Sequence, residues 1–452
     1  MNGAQPSRRV ALAAALVLVA MAASSAASWS GGPSSASFAG ISNARPNIIL
    51  ILTDDQRWDT LWAMPHVRAL LGGHGMTFRN AFATTALCCP SRASILTGKT
   101  SRHTGVYQNV MPHGGVLAFD DHSTLATWLH AVGYTNAYIG KYLNSYWLAE
   151  HHIPPGWDEW NAITTRPTIR YFDYTVNENG RLVDYGEGNE NYSTTVLEGL
   201  ALRFLRDAQP PFFLHFSPIA PHTPVVPAAI DDGRYRSIPP LSAPSFNEQD
   251  VSDKPWGRLH PPLTPGQVAE QNAIRQDSLE ALQSVDRAVA AMVRVLAERD
   301  QLYNTVIVFM SDNGLMLGEH RLQQKIWPYE EAIRVPLVIR APWIPAPQFN
   351  SDLVLNIDIA PTLAELAGVK ADHPDGRSLM PFLRGDHPPW RQSFLEEFLG
   401  PNQLNIGGPP GFNAIRTKRY LYVEYRTGWR ELYDLDADPY QDQNLAGRPE
   451  TA

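Results

Sequence analysis

Residues 47–52 read Asn-Ile-Ile-Leu-Ile-Leu, an almost unbroken apolar and mostly β-branched run. A strand of that composition has no face to offer water, so it must lie inside a sheet covered on both sides. Comparable runs occur at 212–216, 305–310 and 335–339, with a weaker one at 134–139. Between them lie stretches with helical patterning at 66–71, 123–132, 192–207, 267–298 and 357–367. In the longest, Leu279, Leu282, Val285, Val289, Met292, Val293 and Leu296 keep the three-four spacing of one buried helix face. Strands alternating with helices over 45–380 predict an α/β core, a mostly parallel sheet flanked by helices. Beyond about residue 385 the runs at 414–416, 420–425 and 431–435 are short, aromatic and separated by turns, which predicts a small C-terminal antiparallel sheet. Residues 142–192 show neither period and read as a long aromatic loop region, its rings serving as packing or as a platform for sugars. Residues 236–265, rich in proline, read as a surface excursion.

The domain plan follows. Arg8 and Arg9 precede an apolar run over 10–22 and small residues over 23–27, the order of a secretory signal peptide. That run is short for a bilayer span, so no stable membrane insertion is expected. The plan is a signal peptide over 1–27, a Ser/Gly/Ala linker over 28–44, a main domain over 45–384 and a small α+β subdomain over 385–452. The mature protein is expected outside the cytoplasm: secreted or periplasmic, or lysosomal in an animal. A net charge of -8 argues against non-specific nucleic-acid binding.

In open α/β sheets ligands sit beyond the carboxyl ends of the strands. Here the strand runs end in Asp54 and Asp55, in Lys141, in His222, and in Asp312 and Asn313. Each alone has an ordinary reading: Asp-Asp and Asp-Asn-Gly are common turn chemistry, a lysine is commonly solvated, and a histidine between prolines is commonly structural. Parallel strands would bring all of them to one edge. The set Asp54, Asp55, Asp312 and Asn313 offers only oxygen ligands, which suits calcium or magnesium and not zinc. Arg92, Lys141, His222 and Lys325 add positive charge and donors, and a hard cation with fixed cations around it suits an anionic tetrahedral group, a sulfate or phosphate ester.

Cys88 and Cys89 are the only cysteines and stand side by side. A bridge between neighbours is strained and closes almost no loop, so they build no disulfide framework. Pro90 suits the first turn of a helix, which places both cysteines just ahead of a helix N-terminus, where backbone N–H groups favour an anion. The plain alternative is two small buried apolar residues.

The run Cys88-Cys89-Pro90-Ser91-Arg92 with Leu96-Thr97-Gly98 resembles the Cys-x-Pro-Ser-Arg signature of the type I, formylglycine-dependent sulfatases. The family's other motifs follow in order: Asp54-Asp55-Gln56, Gly140-Lys141, Pro221-His222, Ser311-Asp312-Asn313-Gly314, Lys325, Leu432-Tyr433-Asp434-Leu435 and Asp438-Pro439, so the resemblance spans residues 46–448. It implies an alkaline-phosphatase-like fold and hydrolysis of a sulfate ester. It further implies that a formylglycine-generating enzyme oxidises Cys88 during maturation, while Cys89 only packs. One oxygen of the hydrated aldehyde attacks sulfur, and the second hydroxyl then expels sulfate. By the same resemblance Asp54, Asp55, the modified Cys88, Asp312 and Asn313 hold one calcium ion, in preference to magnesium. Arg92 and Lys141 orient the diol, and His222 and Lys325 bind sulfate and assist the leaving group.

Where many relatives carry histidine two residues after the Gly-Lys lysine, this chain has Leu143. That leaves His222 and, as the weaker candidate, His103 for the base that releases sulfate. Gly140-Lys141-Tyr142-Leu143-Asn144, Pro155-Gly156-Trp157 and Asn191-Tyr192-Ser193 look like the branch of N-acetylglucosamine-6-sulfatases and heparan 6-O-endosulfatases, implying a 6-O-sulfated glucosamine-type sugar as substrate. The rival readings are an arylsulfatase of broad specificity, a phosphodiesterase or phosphonate monoester hydrolase of the same superfamily, and a secreted glycan-binding protein without catalysis.

Overall fold

The structure, a computed structural model, describes residues 45–164, 170–400 and 408–447. The signal-peptide and linker expectations therefore lie outside the described residues. The strands of the main sheet are β1 (Asn47–Thr53), β2 (Gly75–Phe82), β3 (Thr135–Lys141), β4 (Glu159–Ile163), β5 (Tyr174–Glu178), β6 (Arg181–Tyr185), β7 (Phe212–Ser217) and β8 (Thr305–Ser311). A short hairpin, β9 (Met316–Leu317) and β10 (Gln323–Gln324), follows, and β11 (Arg334–Arg340), β12 (Gln348–Asn350) and β13 (Val354–Leu355) return to the main sheet. The helices are α1 (Cys88–Thr97), α2 (Ser101–Thr104), α3 (Leu125–Ala131), α4 (Ser193–Asp207), α5 (Pro265–Glu298), α6 (Glu330–Ile333), α7 (Ile359–Leu366) and α8 (Met380–Leu383).

The described part of the sheet has 11 strands in the order β12-β2-β11-β8-β1-β7-β3-β4-β5-β6, with β13 beside β2. Its centre, β8-β1-β7-β3-β4, is parallel throughout. β1 explains why its sequence carries no polar face. Ile49 and Ile51 pack into a core with Leu197, Leu200, Leu282 and Val285 from α4 and α5. Ile48, Leu50 and Leu52 pack on the other side with Leu125, Leu129, Ile359 and Leu363 from α3 and α7. The α/β expectation and the parallel strand ends therefore stand.

Three expectations are corrected, and one strand that had no reading in the sequence is added. First, 142–192 is not one irregular region, because β4, β5 and β6 extend the sheet there. β5 and β6 form a hairpin whose two-residue loop, Asn179-Gly180, takes φ of +52° and +92°, the signature of a type I′ turn. Second, Arg79 and Asn80 interrupt the apolar pattern of β2, yet it pairs with β11 at six positions, two on one side of a bulge and four on the other. Third, 236–265 is more than a surface excursion: Val251, Lys254 and Trp256 are buried in it. Fourth, the cysteines are not ahead of α1 but form its first two residues, with Leu87 as the extended N-cap.

The C-terminal antiparallel sheet has the order β14 (Ser393–Phe398), β15 (Phe412–Thr417), β16 (Tyr420–Tyr425) and β17 (Arg430–Asp434). Phe412, Tyr425 and Tyr433 share a core with Trp256, Trp327 and Tyr329. Inside it the buried Glu431 carboxylate accepts from Trp256 Nε1, Tyr329 OH, Tyr433 OH and Tyr425 OH at 2.8–3.1 Å. No helix among the described residues is long and apolar enough to cross a membrane.

Candidate active site

The parallel centre of the sheet brings its polar ends to one edge. Asp54 and Asp55 follow β1, Lys141 ends β3, His222 follows β7, and Asp312 and Asn313 follow β8. Asp55 turns the chain sharply at φ +63°. α1 is fixed against this edge by its own motif residues. Ser91 Oγ donates to Asp312 O at 2.5 Å and accepts from Asn356 Nδ2 at 2.9 Å. Arg92 Nε donates to Asp312 Oδ2 at 2.8 Å, and its Nη1 reaches both Lys141 O and Ser217 Oγ at 2.7 Å.

These bonds hold Cys88 at the focus. Its Sγ lies 3.5 Å from Asp54 Oδ1 and 3.9 Å from Asp55 Oδ1, and 2.9 Å from Lys325 Nζ. Lys141 Nζ donates to Asp54 Oδ2, and Lys325 Nζ to Asp55 Oδ1, each at 2.5 Å. His222 Nε2 is 3.6 Å from Asp55 Oδ2. Its Nδ1 faces the carbonyl of Thr223 at 2.5 Å; a carbonyl only accepts, so in the neutral ring Nδ1 carries the proton and Nε2 the lone pair. A cavity of about 250 Å³ opens over this centre, lined by Asp55, Asn109, His222, Leu315, Gln324 and Lys325 among others.

The electrostatics follow from burial opposed by pairing. Burial by itself would raise the Asp54 carboxyl, but Lys141, His222 and Arg92 outweigh it and hold it at about 2. Asp55 is likewise lowered, against its burial, by Lys325 and His222. Burial pushes the Cys88 thiol up to about 12 in spite of Lys141 and Lys325. Burial lowers His222 even though Asp54 and Asp55 favour its cation, whereas Lys325 is raised by Asp55 and Cys88 against its desolvation. The unmodified thiol at position 88 is thus held neutral, which is a poor state for a nucleophile.

The donor set fits a hard divalent cation. Asn313 Oδ1 is buried and has no hydrogen-bond partner among the described residues, although Asn313 Nδ2 bonds Asp55 Oδ1 and Gly314 O. An orphaned buried acceptor beside ionised carboxylates is what a missing ligand leaves behind. Asp54, Asp55, Cys88 and His222 also place one ligand atom each within 4.8 Å of one another. Asp312 is the most engaged member, its oxygens already accepting from Asp55 N, Asn313 N and Arg92 Nε.

Every group singled out from sequence in the catalytic and metal sets meets here. His103 does not: it is exposed and bonds Asp375 at 2.8 Å. Leu143 is buried among Tyr138, Tyr142, Tyr146 and Trp160, so no polar group stands in for the missing histidine there. The sequence reading missed Ser217, Asn109 and Gln324. Ser217 had a signal, since it is the last residue of β7, one step past the apolar run. Asn109, which accepts from Cys89 N at 2.9 Å, lies in an irregular loop with none.

A sulfatase family model matches residues 46–369, and a model of the N-sulphoglucosamine sulphohydrolase C-terminal region matches 318–452. The chain is 36% identical over 373 residues to an extracellular sulfatase SULF-1 homolog of Drosophila melanogaster, covering 79% of this chain and 33% of that protein. It therefore spans about a third of that relative's length. It is 32% identical over 467 residues to the N-acetylglucosamine-6-sulfatase of Capra hircus, covering 92% of this chain and 82% of that one. Among solved structures, one in complex with its substrate D-glucosamine-2-N,6-O-disulfate superposes with a TM-score of 0.76 at 25% identity, over 90% of this chain and 94% of that one. The phosphonate monoester hydrolase of Agrobacterium radiobacter superposes at 0.69 and 25% identity, over 90% and 92%.

Proposed function

The chain belongs to the sulfatase family, and on that premise we propose that it removes 6-O-sulfate from glucosamine-type sugars of a glycan outside the cytoplasm. The observation that carries the reaction is the position of Cys88: a buried side chain ringed by Asp54, Asp55 and Lys325, on a helix pinned by Arg92. Oxidised to formylglycine and hydrated, that side chain would supply an oxygen nucleophile, and Asp54, Asp55, Asp312 and Asn313 would hold a calcium ion whose charge would acidify it and neutralise sulfate oxygens.

The chain's own groups do the rest. Arg92, bonded through Nε and Nη1 to Asp312, Lys141 O and Ser217, holds the first turn of α1 and the carbonyl end of β3 in register. Lys141 and Lys325 bring two ammonium groups to the position of the sulfate, where they bind the ester through charge and hydrogen bonds. His222 keeps Nδ1–H on Thr223 O and turns Nε2 toward the cavity. There it takes the proton of the attacking hydroxyl and passes it to the leaving alkoxide; neutral again, it takes the proton of the second hydroxyl as sulfate is expelled, the part for which Leu143 offers nothing.

The sugar assignment is supported by the glucosamine-sulfate and N-acetylglucosamine-6-sulfatase relatives. The phosphonate monoester hydrolase likeness favours a second reading, a phosphorus ester as substrate. Parallel assays of N-acetylglucosamine 6-sulfate, p-nitrophenyl sulfate, p-nitrophenyl phosphate and a phosphonate monoester separate them. The proposal predicts the largest kcat/KM for the sugar sulfate; a larger value for a phosphorus ester overturns it.

A further inference from the structure

The segment 314–319 contributes to two openings. Leu315 lines the cavity over Cys88, while Glu319 lines a second cleft of about 730 Å³, within the range of about 300–1,000 Å³ typical of ligand sites. Arg57 fastens this segment, donating to Leu315 O at 3.0 Å and to Glu319 Oε1 at 2.7 Å. The cleft runs between the 58–63 turn, the proline-rich 239–244 stretch, α5 and the C-terminal sheet.

Its lining has two features that the active site does not use. The first is open aromatic surface. Trp58, Trp62 and Tyr440 are 37%, 48% and 42% exposed, and a cluster of large rings left open on one cleft marks an interaction site. Arg334 covers one face of Trp58 at 4.1 Å from the ring centroid, and Tyr235 meets Trp62 edge-on at 5.7 Å, so the rings are held in place while remaining accessible.

The second is an imbalance of free charge, since burial pushes the Glu331 carboxyl, whose Oε2 has no partner among the described residues, up to about 8 and leaves it largely protonated. Glu319 and Glu330 are buried and already bonded, Glu319 by Arg57 and Glu330 by Arg416 at 2.8 Å and Arg334 at 3.4 Å. Arg275 differs. Its Nη1 donates to Pro239 O at 2.8 Å, and no carboxylate among the described residues forms an ion pair with it. Burial and the nearby Arg57 lower its pKa, against the pull of Asp59. Lys418 adds a half-exposed ammonium, shared with Asp352. A partly desolvated guanidinium that makes no ion pair gains more from an anion than a paired one does.

A fixed indole face offers the apolar face of a pyranose a stacking surface, and a guanidinium beside it offers a planar fork to a sulfate. We propose that this cleft is a second glycan-binding site, which takes a sulfated sugar unit of a long chain at a distance from the ester being cleaved. The inference rests on the sulfate-ester reading of the active cavity for its choice of ligand. It makes the enzyme a reader of chain length: a small ester engages only the cavity over Cys88, and a long one engages both.

The test compares calcium-loaded, aldehyde-bearing wild type with Trp62→Ala and Arg275→Gln on p-nitrophenyl sulfate, a heparin-derived disaccharide and a heparin-derived dodecasaccharide. Each substitution is expected to raise KM for the dodecasaccharide about tenfold, with kcat, and KM for the two small substrates, unchanged. Trp62→Phe, which keeps a ring, is expected to recover much of the loss. Equal KM shifts on all three substrates, or none on the dodecasaccharide, overturn the second site. If wild type hydrolyses no sulfate ester, it is the active-site reading that has failed. The cleft is then judged by calorimetric binding of the dodecasaccharide to Cys88→Ser, with and without Trp62→Ala. Loss of affinity supports the site. Unchanged affinity, or equal binding of an uncharged chito-oligosaccharide, overturns it.

Discussion

Lys325 Nζ stands 2.9 Å from Cys88 Sγ, closer than either carboxylate that faces the sulfur. The same ammonium donates to Asp55 Oδ1 at 2.5 Å. One cation therefore bridges the precursor of the nucleophile and a carboxylate of the candidate metal centre. Lys325 approaches from the loop after β10, not from a strand of the parallel centre, and pairs with Asp55 while Lys141 pairs with Asp54.

Lys325→Ala is expected to lower kcat for sulfate esters about 10²-fold or more, the scale of losing one fixed electrostatic contact to developing charge. Steady-state kinetics beside a thermal melt check it. A normal kcat with intact folding would remove Lys325 from the reaction.

Calcium is expected to raise the melting temperature, and a chelator to lower it again, because Asp54, Asp55 and Asp312 gather carboxylates within one buried locus. Asn313→Ala removes an oxygen that bonds nothing among the described residues. It is expected to weaken calcium binding at least about tenfold in a calorimetric titration. Unaltered affinity would show that Asn313 is not a ligand.

His215 gives a pH dependence separable from catalysis. It lies in β7 with both ring nitrogens unpartnered among the described residues, against Tyr138 at 4.7 Å between ring centroids. Burial, aided by Arg92, drives it down to about 3. The unfolded histidine titrates at about 6.5, so the folded state binds fewer protons between these values, and stability is lost as pH falls through that window. His215→Phe fills the same space without titrating. From pH 7.5 to pH 5 the stability gap between variant and wild type is expected to move by about 2 kcal/mol in the variant's favour. Urea unfolding at both pH values measures it, and a constant gap would contradict the account.

Glu431 is the anchor of the C-terminal sheet. Glu431→Ala strands three tyrosine hydroxyls and the Trp256 indole N–H in a buried site. A destabilisation of about 3 kcal/mol or more is expected by denaturant unfolding. A loss below about 1 kcal/mol would mean that the four donors find water instead.

The parts of this protein that were legible in sequence are those where one residue type has one physical reason to be present. β1 announced a doubly covered sheet because water had no place on it, and its polar terminus announced the site edge. Strands whose burial depends on distant partners did not announce themselves. β2 carries Arg79 and Asn80 and is recognisable only beside β11. Trp256 looked like part of a surface loop because the carboxylate that receives its N–H comes from residue 431. Asn179-Gly180 was a readable hairpin signal, and the aromatic density around it drew attention away. At the site, residue identities came through, but contacts did not: that Asp312 carries Arg92, or that His103 is held away by Asp375, depends on side chains far apart in the chain.

The central claim is that Cys88 is the precursor of an oxygen nucleophile. The most direct measurement is the mass of the peptide spanning residue 88, taken from protein made together with a formylglycine-generating enzyme and active on a sulfate ester. The account predicts loss of sulfur and two hydrogens and gain of one oxygen at Cys88, with Cys89 unchanged. Full sulfate-ester hydrolysis by protein whose Cys88 remains a thiol would contradict it.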